Sequence, residues 1–126
     1  VTVNREELAW AAGFFDGEGT VYLHHNRTER TGSWARLTVM QNDPQALARF
    51  QGAVYGLGTL HGPYTRSQPG RTNNPFWSLH AASWRDTQAI AALLWTWLSP
   101  VKRSQVRSVF ARMKAERAKG GMSKQT

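Results

Sequence analysis

A chain of 126 residues with 16 Lys+Arg against 8 Asp+Glu, a formal charge of +8 and no cysteine already excludes several classes. Its length fits one domain with a core of its own, and six Trp supply bulk to fill it. Disulfides and thiolate zinc sites are ruled out, no apolar run approaches the ~20 residues of a membrane span, and no signal-peptide pattern opens the chain.

The charge points to a polyanionic partner, nucleic acid before an acidic membrane surface. No acid falls between Asp43 and Asp86, and eight of the sixteen cations lie within 102–124, where Glu116 is the only anion. Arginine outnumbers lysine twelve to four, and Ile90 is the only isoleucine. GC-rich codons produce that bias, so the expected setting is the cytoplasm or nucleoid of a bacterium or phage-infected cell rather than an organelle.

In chain order, residues 6–16 read as a helix. Asn4 is its N-cap, and Glu6 and Glu7 sit where the helix dipole favours carboxylates. Gly17 and Gly19 are expected to stop it through a left-handed turn. The period then changes from 3.6 to 2: Val21 and Leu23 oppose Tyr22, His24, Asn26 and Thr28, and after a turn Leu37 and Val39 oppose Trp34, Arg36 and Thr38. Asp43-Pro44 opens a second helix, which Gly56 and Gly58 end. Strands over 59–66 and 75–81 follow, with Trp77 and Leu79 alternating against Phe76, Ser78 and His80. Ser83 caps a third helix that closes at Ser99-Pro100. A last helix from Val101 carries Val106, Val109, Phe110 and Met113 at core spacing. The expected domain covers 1–117, with 118–126 a disordered basic tail. The class implied is α+β: an antiparallel sheet with helices on one face and a polar, aromatic face left open.

The segment LAWAAGFFDGEGTVYL, residues 8–23, carries the chemistry. Ala9, Ala12, Gly13 and Asp16 share a helix face at i, i+3, i+4 and i+7, and the small residues among them let another backbone approach closely. Glu18 then stands between two glycines at the negative end of the helix dipole, a place that suits a bound cation. On spacing alone the plainer reading is a packing helix with glycine caps and a solvated Glu18.

Ala12-Gly13-Phe14-Phe15-Asp16-Gly17-Glu18-Gly19 resembles the motif of the LAGLIDADG homing endonucleases, in its helix-to-strand context. The element order resembles that family's αββαββα core with a C-terminal helix, its sheet forming a DNA-binding saddle. The resemblance implies a site-specific double-strand DNA endonuclease acting on a long near-palindromic target and leaving short 3′ extensions. One motif copy implies a homodimer through the motif helix, at Leu8, Ala9, Ala12, Gly13 and Asp16, which brings two Glu18 carboxylates together. Such a pair invites Mg²⁺, with Mn²⁺ able to substitute, held by Glu18 and the Gly17 backbone carbonyl. Family members more often have Asp where Glu18 stands, which leaves the metal geometry open. Asp16 is expected to be structural rather than a metal ligand.

Gln41, at the end of the second strand, matches the family's water-orienting residue, and Lys102 matches the basic residue near the last helix. Gln41 reads alternatively as a flank of the next helix, and Lys102 as a surface cation. DNA reading falls to the open face: Tyr22, His24, Asn26, Thr28, Trp34, Arg36 and Thr38 from the first strand pair, and Thr59, His61, Tyr64, Arg66, Phe76 and Ser78 from the second. Arg27, Arg30, Arg71, Lys102 and Arg103 are expected on phosphates. Adjacent His24 and His25 point to opposite faces, so no zinc site is expected. Two rivals stand beside this reading: the same fold without catalysis, as a transcription regulator or intron-splicing maturase, and a plain dimerisation domain.

Overall fold

The computed structural model describes residues 3–25, 33–65 and 74–124, with 120–124 as backbone alone. Helix α1 (Arg5–Glu18) starts where Asn4 accepts the Glu7 N–H, with Glu6 and Glu7 in its first turn. Strand β1 (Gly19–His25) follows at once, and β2 (Ser33–Gln41) runs back beside it. Helix α2 (Pro44–Ala53) is capped by the Asp43 side chain, which accepts from the Gln45 N–H. Strands β3 (Thr59–Tyr64) and β4 (Phe76–Ala81) come next. Helix α3 (Trp84–Leu94) is capped by Ser83, and a short 3-10 turn over Trp95–Trp97 leads into α4 (Pro100–Lys124).

The four strands form one antiparallel sheet in the order β1-β2-β4-β3. Each ββ pair therefore contributes its second strand to the middle, and the two helix-strand-strand halves meet along β2 and β4. This is the α+β architecture expected from the alternation of periods.

All four helices cover one face. Leu8, Ala11, Ala12 and Phe15 form the buried stripe of α1, and Phe15 stacks on Phe50 of α2 with centroids 6.4 Å apart. Val21, Leu37, Val39 and Leu79 meet them from the sheet, and Val106, Val109 and Met113 from α4. Each large side chain so buried contributes ~1.5–3 kcal/mol. Outside this core, Arg49 clasps α1 to α2: it bonds Glu7 through both carboxylate oxygens at 3.0 and 2.9 Å and lies over Trp10 at 3.8 Å. The Arg49 hydrogen bond holds the Glu7 carboxyl below its ordinary pKa. Among the described residues no helix is long and apolar enough to cross a membrane.

The structure departs from the sequence reading in several places. Helix α1 does not stop at a glycine turn; Gly17 and Glu18 belong to its last turn, and Gly19 is extended at φ −98°. Left-handed glycines occur instead after α2, at Gly56 (φ 76°) and Gly58 (φ 88°), beside Tyr55 at φ 61°. Leu8 and Ala12, expected at a dimer face, are 3% and 0% exposed within the single chain, where they join Ala11 and Phe15 in the buried stripe of α1. Helix α4 continues to Lys124, across part of the segment expected as a disordered tail.

Candidate active site

Three expected site residues come together at one corner of the sheet. Glu18 ends α1 and is exposed; Gly19 begins β1 and pairs with Val39 of β2. Gln41 lies two residues beyond Val39, so it shares Val39's side of the sheet, the side from which α1 arrives. Its Oε1 accepts the Asn42 N–H at 2.8 Å. Lys102, in the first turn of α4, donates from Nζ to the Gly19 carbonyl at 2.7 Å and to Gln105 Oε1 at 3.2 Å. A carboxylate, an amide and an ammonium from three separate elements thus border the α1–β1 joint.

Asp16 fixes this corner. Its two carboxylate oxygens accept the Ser99 N–H at 3.2 and 3.1 Å, and Oδ1 also accepts the Ser99 hydroxyl at 3.1 Å. The Ser99 hydroxyl in turn accepts the Lys102 N–H at 3.1 Å, which caps α4. Asp16 was expected both as structural and as part of a dimer face; its carboxylate is engaged within the chain, as an anchor for the helix that carries Lys102. Asp16→Ala is expected to destabilise the fold by about 2 kcal/mol, the worth of hydrogen bonds to a charged group, measured by denaturant unfolding. An unchanged midpoint would show that the Ser99 contacts contribute nothing.

On the solvent side of α1, Gly13 and Gly17 are exposed, with open space where a Cβ would stand, and Ala9 is half-buried. Of the expected dimer residues, Ala9 and Gly13 are the ones left available on that side. Among the described residues no cluster of three or more His, Asp or Glu could hold a metal. The joint nevertheless offers hard oxygen donors: the Glu18 carboxylate, and last-turn carbonyls, including that of Gly17, which have no donor within the helix. That set fits Mg²⁺ or Mn²⁺, which need only one or two carboxylates beside water and phosphate.

The open face follows the alternation closely. Tyr22 pairs with Arg36, His24 with Trp34, and Thr38 with His80, all half-buried. Thr59, His61 and Tyr64 of the edge strand β3 are exposed. Phe76 is half-buried, its ring 5.4 Å from that of Tyr64. Arg36 lies over the Trp34 ring at 5.0 Å, and the Trp34 and His24 rings are 4.9 Å apart. Two polar atoms in the middle of this face, Arg36 Nε and Thr38 Oγ1, are shielded and have no hydrogen-bond partner among the described residues. Such atoms are a small minority of the buried polar groups in folded proteins.

Two expected DNA contacts are placed otherwise. Ser78 is 2% exposed, crowded between neighbouring strands, with its Oγ 2.9 Å from His80 Nε2; it holds His80 rather than facing solvent. Arg103 donates to the Trp95 carbonyl at 2.9 Å and the Thr96 carbonyl at 2.7 Å, so its guanidinium closes the 3-10 turn. Asn26, Arg27, Thr28, Arg30, Arg66 and Arg71 lie outside the described residues. His80 is the face residue that sequence reasoning passed over, although its alternation with Trp77 and Leu79 already put it there. Thr20 and Met40, the latter 41% exposed, join it on the same parity.

No protein-family model matches the chain, and no curated protein matches it. Solved structures do. The homing endonuclease I-CvuI, in complex with its target in the presence of Ca, superposes with a TM-score of 0.61 at 23% identity, over 88% of this chain and 69% of that one. The group I intron-encoded I-CeuI bound to DNA gives 0.59 at 21%, over 91% and 55%. I-TnaI gives 0.54 at 22%, over 75% and 63%. The chain has the fold of the LAGLIDADG homing endonucleases.

Proposed function

We propose that this chain is a site-specific, metal-dependent DNA endonuclease that works as a homodimer. The observation that carries the reading is the corner itself: Glu18, Gln41 and Lys102 border one helix-strand joint, at the end of a sheet whose other face is open, aromatic and free of carboxylates among its described strands. A second copy docked along the Ala9, Gly13 and Gly17 side of α1, where both glycines are exposed, would bring two such corners together and set two saddles along one duplex.

In this reading Glu18 and the last-turn carbonyls hold Mg²⁺, which supplies Lewis acidity toward the scissile phosphate and its attacking water. The chain's own residues do the rest. Lys102, aimed at the joint, stabilises charge on the phosphate oxygens, and the Gln41 amide orients the water. The strand side chains fix register on the duplex. The I-CvuI complexes with DNA were solved in the presence of Ca or, with the DNA not cleaved, Mg, which accords with use of a divalent metal.

The test is selection of cleaved sequences from a randomised DNA pool in Mg²⁺, beside a mass measurement in solution. A near-palindromic cleaved site and a dimer mass are expected. Tight binding without cleavage in Mg²⁺ or Mn²⁺ would leave a binding protein of the same fold, and a monomer bound to DNA would overturn the shared site.

A further inference from the structure

We propose that the open sheet face takes up protons when it binds DNA, through the imidazoles of His24 and His80. The inference rests on the DNA-binding reading and adds to it a coupling between affinity and pH.

The geometry is a set of bases along one sheet face with no acid among the described strand residues. His80 on β4 has the His61 ring of β3 at 5.5 Å and Ser78 Oγ at 2.9 Å. His24 on β1 has the Trp34 ring at 4.9 Å, and Arg36 of β2 lies between the two sides, over that same ring. The groups facing these imidazoles are therefore Arg36 for both, His61 for His80, and Tyr22 beside His24 on β1, with His25 adjacent to His24 in the chain. The described strands contain no Asp or Glu, and the helices pack on the other side of the sheet. Burial, with Arg36 and neighbouring imidazoles repelling a further charge, lowers the pKa of both rings.

The face without DNA thus holds His24 and His80 neutral near pH 7. A phosphate backbone laid over it reverses the balance, because anions within about a Debye length favour the charged ring. Arg36 Nε, which can only donate, and Thr38 Oγ1 are shielded in the same patch and have no partner among the described residues, so hydrogen-bonding capacity is left over on this face. The sign follows. If the bound state holds more protons than the free state, affinity rises as pH falls through the bound-state values.

The experiment uses the whole chain in EDTA at constant ionic strength, with a mixed-sequence DNA duplex as probe. Binding is measured from about pH 5 to 8, where imidazole changes charge. Affinity is expected to grow as pH falls, by up to about tenfold per pH unit for each proton taken up, and His80→Gln flattens that dependence. Side-chain NMR of the unsubstituted protein gives an independent reading: the titrations of His24 and His80 move to higher pH when DNA is added. His25 is the reference, since its ring sits on the opposite side of β1 with Ser33 Oγ at 2.7 Å and Glu116 at 3.8 Å. Salt-sensitive binding that ignores pH, or an equal rise for His25, overturns the proposal and leaves DNA binding intact. Absence of saturable binding at every pH overturns the DNA-binding reading with it.

Discussion

Glu18→Gln is expected to lower cleavage by about 10³-fold or more, a loss of the size seen when one charge-stabilising group leaves a catalytic site. The substitution keeps the shape of the side chain and removes its charge. Because Glu18 is exposed at the end of α1, stability is expected to stay within about 0.5 kcal/mol of the parent. Two measurements separate the roles: single-turnover cleavage of a selected site in Mg²⁺, and DNA affinity in EDTA. A variant that cuts at the parental rate removes Glu18 from the chemistry. A variant that also fails to bind places it in DNA contact instead of metal binding. Lys102→Met belongs in the same series: the Lys102 ammonium bonds the Gly19 carbonyl from α4, so it tests the corner from another element.

Much of this arrangement is legible in the residues, for physical reasons that differ by position. The Asn4, Asp43 and Ser83 caps are local: each side chain satisfies a backbone N–H two or three residues away, so sequence spacing suffices to place them. The saddle is legible because β1 and β2 are covered on one side only, and a half-buried strand must alternate. What the sequence leaves open is set by packing between distant elements. Ser78 has the right parity for the open face, but whether it sees solvent depends on Met40 and His61, its cross-strand neighbours. Arg103 reads as one cation among many until the 3-10 turn after α3 presents two carbonyls to it. Asp16 looks like part of a turn motif, and only the return of the chain at Ser99 shows what it holds.

The same limit explains the misread end of α1. Glycine at 17 and 19 suggests a left-handed stop, since that is the commonest use of glycine after a helix. Neither has a positive φ. Gly17 is a helical residue facing open space, whereas Gly19 is glycine because Phe15, one turn back, occupies the volume of its missing side chain. The identity at 19 thus records a tertiary contact between the first strand residue and the core, which no local rule reports.

That difference yields the second large expected effect. Gly19→Ala places a Cβ against the Phe15 ring, which is 1% exposed and stacked on Phe50. The backbone at Gly19, φ −98° and ψ 158°, accepts alanine without strain, so the cost is purely steric. Overpacking of this kind is expected to destabilise by about 3 kcal/mol, read from the denaturant midpoint. Gly17→Ala is the control on the same joint: with nothing within 4 Å and helical backbone, it should stabilise the folded chain by up to about 1 kcal/mol. Combining Gly19→Ala with Phe15→Leu makes the mechanism testable. A smaller side chain at 15 leaves room for the new Cβ, so the double variant should be more stable than the sum of the single losses by about 1 kcal/mol or more. Strict additivity would mean that Gly19 is required by something other than the Phe15 ring, and that the joint holding Glu18 in place is not locked by the core in the way the packing implies.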